Sequence, residues 1–260
     1  MIPRVLIIAG SDSGGGAGIQ ADIKTVTMLG GYAMTAVTAV TVQNTLGVSA
    51  VHAVPPEIVA AQIRSVLDDL GADAIKIGML GDVATIEAVA GALAGVDRPL
   101  VLDPVMVAKG GSRLLADDAV AALSRLLPRA ALLTPNAPEL AALVGAAVTD
   151  EESMVAAARR LLASGVPAVL AKGGHLEADP VPDWLVTAAG EQAFRSPRRH
   201  TEHTHGTGCT LSSAIATGLA KGWPLPRAVE EGRAYLQQAL AMAPGLGHGH
   251  GPLGHNFSLL

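Results

Sequence analysis

Short apolar, β-branched segments alternate with longer amphipathic segments along most of this chain, and this alternation constrains the fold more than any other feature. Strands are predicted at Arg4–Ala9, Ala33–Val42, Val48–Val54, Ala74–Ile77, Leu100–Leu102, Ala131–Leu133 and Ala168–Ala171, with a hairpin at Trp184–Ala188 and Gln192–Phe194. Helices are predicted at Ala17–Leu29, Pro55–Leu70, Val83–Leu93, Asp117–Leu127, Pro138–Val144, Glu151–Ala163, Cys209–Lys221 and Pro226–Ala241, ahead of an irregular tail at Pro244–Leu260. This order is typical of an α/β fold with a mostly parallel central sheet.

The composition agrees with such a fold. Half of the 260 residues are apolar, 16% are charged, and there are two each of Trp, Tyr and Phe. A core of small aliphatic side chains suits parallel strands between helices, and this balance excludes intrinsic disorder. No linker, repeat or shift in composition divides the sequence, so one domain is expected over residues 1–260.

Charge and cysteine content limit the partners and the location. A net charge of −5 gives no support for a nucleic-acid partner. No apolar stretch is long enough to predict a membrane span, and Met1–Gly10 resembles a first strand more than a signal peptide. Because a single cysteine cannot form an intrachain disulfide, a cytoplasmic location is expected.

In a parallel sheet, ligands bind at the carboxyl ends of the strands, so the residues that follow each strand are candidates for a site. The segment Gly10–Gly18 carries five glycines after the first strand. It is either a flexible turn or a loop whose backbone approaches a ligand. Asp22, one turn further along, either faces that ligand or is an exposed helix charge.

A second glycine-rich turn, His205–Cys209, leads into a predicted helix. Free amides at a helix N-terminus bind phosphate or a developing anion, although an ordinary helix cap has the same appearance. Cys209 lies in the first turn, where a thiol tends towards thiolate, although bound phosphates oppose that shift. A lone cysteine in an alanine-rich helix is also compatible with a core position.

Asn136 and Glu139 lie three residues apart after another strand. They could hold a hydrated Mg²⁺ beside phosphates, or they could form a capping box at the start of a helix. Asp103 and Lys172 follow strands in the same way. Asp103 could contact a ligand or simply form a turn before proline, and Lys172 could meet a phosphate or remain solvated.

Histidines and a further glycine segment complete the candidates. The chain has eight histidines, but no Cys/His set has the spacing of a structural zinc site. Lys109–Ser112 contains two glycines that could hinge, so it is a candidate mobile segment, although the sequence does not indicate which loop closes over a ligand.

Several segments together resemble a known family. They are Ile8–Lys24 (IAGSDSGGGAGIQADIK), Val42–Thr45, Lys76–Leu80 (KIGML), Val101–Met106 (VLDPVM), Leu133–Glu139, His205–Cys209 (HGTGC) and Gly247–Pro252. In this order they are similar to the bacterial hydroxymethylpyrimidine/phosphomethylpyrimidine kinases of thiamine biosynthesis, within the ribokinase superfamily. The resemblance covers nearly the whole chain.

The resemblance implies a ribokinase-like three-layer sandwich, a homodimer, and transfer of phosphate from MgATP to 4-amino-5-hydroxymethyl-2-methylpyrimidine and then to its monophosphate. It implies that Gln43 reads the amino group and ring nitrogens of the pyrimidine, within a pocket formed by Gly10, Ala17, Asp22, Met79 and Val105. It places Asp103, Asn136, Glu139 and Lys172 at the nucleotide, with Glu139 holding Mg²⁺ through water. The turn Gly206, Thr207 and Gly208 would form an anion hole, and Cys209 would be the catalytic base.

Two other functions stay open. Some relatives within the same superfamily phosphorylate pyridoxal, and only the pocket around Gln43, Met79 and Val105 would separate the two substrates. A non-catalytic regulator that binds a vitamer is the second alternative. The joint presence of Asn136, Glu139, Lys172 and Cys209 argues against it.

Overall fold

The computed structural model of the chain describes residues 1–106, 119–123 and 125–259, and the predicted mobile segment Lys109–Ser112 lies outside them. The strands of the described part are β1 Arg4–Asp12, β2 Tyr32–Asn44, β3 Gly47–Ala53, β4 Ala74–Ile77, β5 Leu100–Leu102, β6 Leu132–Leu133, β7 Ala168–Lys172, β8 Val181–Thr187 and β9 Gly190–Ser196. Its helices are α1 Gly18–Met28, α2 Pro56–Asp69, α3 Val83–Ala92, α4 Ala119–Leu123, α5 Ala137–Val144, α6 Glu151–Ala163, α7 Thr207–Ala220 and α8 Leu225–Ala241.

One sheet holds these strands in the order β3-β2-β1-β4-β5-β6-β7-β8-β9. The ladders from β2 through β1, β4, β5 and β6 to β7 are parallel. Antiparallel pairs complete both edges, β2 with β3 on one side and the hairpin β8–β9 beside β7 on the other. Because β1 lies between β2 and β4, the strand order reverses at β1, and such a switch point opens a crevice at the carboxyl ends of the strands.

Helices cover both faces of the sheet, as the alternation along β1 requires. Its residues Val5 and Ile7 pack with α1, α7 and α8, whereas Leu6 and Ile8 pack with the layer of α2 to α6. All four side chains are fully buried, and successive strand residues point to opposite faces. The three-layer arrangement with a mostly parallel sheet is therefore confirmed.

Several element boundaries differ from the prediction, and three of them are instructive. β1 continues past Ala9 to Asp12, with a shift in its register against β2, so part of the glycine-rich segment is strand. α7 begins at Thr207, before the predicted start. The predicted helix Asp117–Leu127 is helical over Ala119–Leu123 in the described residues, and Pro128 lies within a short 3-10 helix, since proline fits the first turn of a helix.

The carboxy-terminal tail is irregular, as predicted, but it is tied to the rest of the fold. The amide of His205 donates to the carbonyl of Gly251 at 3.1 Å, and the amide of His250 donates to the carbonyl of Thr45 at 2.9 Å. The tail therefore joins the turn after β2 to the start of α7. Among the described helices, none combines the length and apolar character needed to cross a membrane.

Candidate active site

A cavity of about 860 Å³ opens at the carboxyl ends of the parallel strands. It lies at the switch point beside β1, where the topology opens a crevice. Its wall includes almost every residue that the sequence singled out: Gly10, Ala17, Gln43, Met79, Asp103, Val105, Asn136, Glu139, Lys172, Gly206, Thr207, Gly208 and Cys209. The fold therefore gathers residues that are far apart in the chain into one site.

The glycine-rich turn between β1 and α1 is folded around Asp12. Its Oδ1 accepts from the amide of Gly14 at 2.8 Å, and Oδ2 accepts from the amides of Gly16 and Ala17 at 3.0 and 2.8 Å. Burial alone raises the pKa of Asp12, but the hydrogen bonds from His205, Ala17 and Gly14 outweigh it and lower the pKa. An ionised carboxylate thus organises the turn, a role that the sequence analysis did not assign.

The start of α7 is the glycine-rich turn for which the sequence predicts an anion site. Gly206 is its N-cap with φ +85°, and a Cβ on Gly206 would lie 1.9 Å from the carbonyl oxygen of Gly16. Only glycine fits both this conformation and this approach of two backbones. No side chain caps the helix. The amide of Thr207 donates to the carbonyl of Thr204 at 3.4 Å, and Gly208 and Cys209 line the cavity in the same first turn, where helix amides lack intrahelical carbonyl partners.

The environment of Cys209 corrects one expectation. The thiol lies on the cavity wall, partly buried, and desolvation raises its pKa to about 11. Lys76 lowers the pKa and Asp22 raises it, and the loss of water dominates. The predicted tendency towards thiolate is therefore wrong for this structure, where Cys209 rests as a neutral thiol.

Lys172 and Asp103 form an ion pair on the cavity wall beside the start of α7, where a Cβ on Gly208 would lie 3.1 Å from Oδ2 of Asp103 and 3.3 Å from Nζ of Lys172. Nζ of Lys172 lies 2.9 Å from Oδ1 of Asp103, which also accepts from the hydroxyl of Thr134 at 3.1 Å. Burial alone lowers the pKa of Lys172, but Asp103 and Glu139 outweigh it and raise the pKa. The two predicted alternatives of a solvated lysine and an isolated turn aspartate do not describe these side chains, because both are largely buried.

Asn136 and Glu139 form the capping box at the start of α5. Oδ1 of Asn136 accepts from the amide of Glu139 at 2.9 Å, and Oε2 of Glu139 accepts from the amide of Asn136 at 2.8 Å. Both residues also line the cavity, so the structural interpretation and a ligand-binding one are compatible. Desolvation raises the pKa of Glu139 to about 7, with Lys172 lowering it and Asp103 raising it further.

Asp22 is the exception among the predicted pocket residues. Its side chain is completely buried beneath the cavity and is not part of the wall. Both carboxylate oxygens bind Nζ of Lys76, at 3.0 and 2.8 Å, and Oδ1 also accepts from the hydroxyl of Ser213 at 2.6 Å. Neither predicted position, facing the ligand or exposed to solvent, is correct, because the residue pairs with a buried lysine.

Sequence reasoning missed the roles of Lys76, Asp12 and the side chain of His205. Lys76 lies in the otherwise apolar strand β4 and is fully buried. That position was a usable signal, since a lysine on a buried strand requires an acidic partner. Nothing in the sequence indicated that Nε2 of His205 would lie 2.8 Å from Oδ2 of Asp12.

A mostly parallel three-layer fold, with a glycine-rich helix start and charged side chains around a cavity at the carboxyl ends of the strands, is that of a ribokinase-like kinase. A family model described as phosphomethylpyrimidine kinase matches residues 12–254. The chain belongs to this family.

Similar proteins agree with this assignment. The chain is 50% identical over 258 residues to the hydroxymethylpyrimidine/phosphomethylpyrimidine kinase of Streptomyces coelicolor, with 99% of this chain and 96% of that protein covered. It is 53% identical over 253 residues to the thiamine biosynthesis bifunctional protein ThiED of Geobacter sulfurreducens; the match covers 96% of this chain and spans about half (52%) of that protein. An ADP complex of Bacillus subtilis pyridoxal kinase superimposes with a TM-score of 0.93 at 34% identity, over 100% of both chains.

Proposed function

We propose that this chain transfers the γ-phosphoryl group of ATP to 4-amino-5-hydroxymethyl-2-methylpyrimidine and then to its monophosphate. The observation that carries this proposal is the shared cavity, in which the amides at the start of α7 face the same space as Gln43 and the charged groups of Asp103, Glu139 and Lys172. Phosphoryl transfer depends on positioning and on neutralising charge, which is what these groups offer. We also propose one domain over residues 1–260 and a cytoplasmic location, where ATP is available.

Mg²⁺ fits the acidic side of the cavity as a hydrated ion held by the nucleotide. No group of three or more His, Cys, Asp or Glu side chains in the described residues is placed to hold a metal. Mg²⁺ characteristically keeps several waters and binds through one or two carboxylates together with substrate phosphates. Glu139 and Asn136 supply oxygen atoms of the suitable kind, with Glu139 acting through water, and bound Mg²⁺ would neutralise phosphate charge.

The anion hole and Cys209 serve the acceptor side. In the first reaction the hydroxymethyl oxygen bonds to the γ-phosphorus, the bond to the β–γ bridging oxygen breaks, and ADP leaves. The hydroxyl proton would pass to the small thiolate fraction of Cys209, which lies on the wall of the same cavity. Amides of Gly206, Thr207 and Gly208 would balance the charge on the transferred group.

Pyridoxal is the second candidate substrate, favoured by the close superposition with the Bacillus subtilis pyridoxal kinase. A coupled assay of ADP release, run with the pyrimidine and with pyridoxal in parallel, separates the two. Turnover with the pyrimidine and little with pyridoxal is expected. Absence of ADP with either compound would support a vitamer-binding regulator, and Lys172→Met serves as the inactive control.

We further propose a homodimer formed through the β2–β3 edge. Large apolar side chains there are exposed, with Val40 49%, Val42 59% and Leu46 68% accessible to solvent. Val40 and Val42 lie two residues apart on β2 and so share one face of the sheet, and exposed apolar surface marks interaction sites. Light scattering after gel filtration should give twice the mass of the chain. Val42→Glu should reduce it to a monomer, while Ile58→Glu, at an exposed apolar site on α2, should not.

A further inference from the structure

The side-chain amide of Gln43 lies between two partners on the cavity wall. Its Oε1 is 3.1 Å from the hydroxyl oxygen of Thr41, and its Nε2 is 3.3 Å from Nε2 of His205. The two ends of an amide have nearly the same shape but opposite hydrogen-bonding character. The neighbours therefore determine which end must face which partner.

At the histidine end, the decisive group is Asp12. Nε2 of His205 lies 2.8 Å from Oδ2 of Asp12, which also accepts the amides of Gly16 and Ala17. An ionised carboxylate can only accept hydrogen bonds. Nε2 of His205 must therefore carry a hydrogen, so it faces Nε2 of Gln43 as donor against donor.

At the threonine end, the direction of the single hydroxyl hydrogen of Thr41 determines which end of the Gln43 amide fits. Its Oγ1 lies 3.0 Å from the carbonyl oxygen of Ser11, which can only accept. When the hydrogen serves Ser11, Oγ1 of Thr41 faces Oε1 of Gln43 as acceptor against acceptor. A half-turn of the amide corrects both mismatches at once, because Nε2 then donates to Thr41, and Oε1 shares with Asp12 the one hydrogen on Nε2 of His205.

We propose that Asp12 and His205 are positioning residues that hold the amide of Gln43 with Oε1 towards His205 and Nε2 towards Thr41. In this orientation one lone pair on Oε1 and one hydrogen on Nε2 remain for a ligand. That pair matches a ring edge with an amino group beside a ring nitrogen, which pyridoxal lacks. The identity of the ring rests on the proposed function; the orientation of the amide does not.

The tautomer of His205 can be tested without any activity. Long-range ¹⁵N–¹H correlation spectra of histidine-labelled protein should show hydrogen on Nε2 for His205, whose signal is identified by its absence in His205→Phe. A neutral ring with hydrogen only on Nδ1 would overturn the proposal. This measurement stays decisive even if the pyrimidine proves not to be a substrate.

The kinetic test compares His205→Phe, Gln43→Ala and the double variant. Each single change should raise KM for the pyrimidine about tenfold or more with KM for ATP unchanged, and the double variant should be no worse than Gln43→Ala, since both act on one contact. His205→Gln, which keeps an N–H for Asp12, should recover most of the loss, whereas His200→Phe at an exposed position is the matched control.

The positioning role would be refuted if the increase in KM for the pyrimidine in the double variant equalled the product of the two single increases. It would also be refuted if KM for ATP rose as much as KM for the pyrimidine. Thermal unfolding of each variant shows whether it is folded. Failure of the wild-type enzyme to release ADP with the pyrimidine would refute the proposed function instead, leaving the spectroscopic test intact.

Discussion

The ammonium group of Lys76 lies 2.8 Å from Oδ2 of Asp22, and neither side chain is exposed to solvent. Burial alone lowers the pKa of Lys76, but Asp22, Cys209 and Asp103 outweigh it and raise the pKa, so the lysine stays charged. The pair joins β4 to α1, and the hydroxyl of Ser213 extends it to α7. Three elements that end at the cavity are thus fixed to one another by charge.

Removal of one partner of this pair should lower the free energy of unfolding. Lys76→Met leaves the carboxylate of Asp22 buried without its cation, and such a loss costs about 3–5 kcal/mol. Urea unfolding measures the change in the free energy of unfolding. Arg159→Met, which breaks the largely exposed pair with Glu191, is the control and should change stability little; equal losses for both variants would contradict the expectation.

Gly206→Ala should abolish activity. A Cβ at this position would lie 1.9 Å from the carbonyl oxygen of Gly16 in a left-handed conformation, so the start of α7 must move away from the glycine-rich turn. The ADP assay measures kcat/KM, which is expected to fall by more than about 100-fold. Loss of one backbone donor of this type lowers kcat by about that factor or more.

Gly91→Ala is the matched control for that change. Gly91 lies in α3 with open space around its Cα, so alanine should keep activity and add up to about 1 kcal/mol of stability. Full activity of Gly206→Ala would show that the backbone contact with Gly16 is dispensable.

Glu139 should make the stability of the free protein depend on pH. Its pKa is raised from 4.5 to about 7, so its contribution to folding is complete below about pH 4.5 and is lost as pH rises through about 7. Glu139→Gln cannot ionise and keeps an oxygen for the capping box. Relative to wild type it should gain up to about 3 kcal/mol at pH 8 and little at pH 4.5.

Urea unfolding in metal-free buffer at these two pH values checks this prediction. Glu152→Gln on an exposed position of α6 is the matched control. An equal difference between Glu139→Gln and wild type at both pH values would show that folding does not raise the pKa of Glu139.

Cys209→Ala should damage the first phosphorylation more than the second, because the second acceptor is already a phosphate and needs little deprotonation. Since the pKa of the thiol is raised to about 11, the thiolate fraction grows with pH throughout the neutral range. The kcat/KM of the first step should therefore rise with pH in the wild type and lose this rise in Cys209→Ala. Equal losses in both steps would exclude Cys209 as the base.

The sequence by itself determined the order of strands and helices, because the apolar periodicity of each element is a local property. It also predicted the capping box of Asn136 and Glu139, whose partners lie three residues apart, as one of two alternatives, and the glycine-rich turn before α7. Motifs after the strands predicted most of the cavity wall, since parallel strands bring their carboxyl ends to one edge.

Only the tertiary structure decided how the charged side chains are paired. Asp22 meets a lysine 54 residues away, and Asp12 meets His205 across 193 residues. The pKa of Cys209 likewise depends on how much water the packed elements exclude, which the local sequence does not encode. Pairing and burial arise from contacts between distant segments of the chain. Most of the site residues could therefore be predicted from the sequence, whereas their partners and protonation states depend on the tertiary structure.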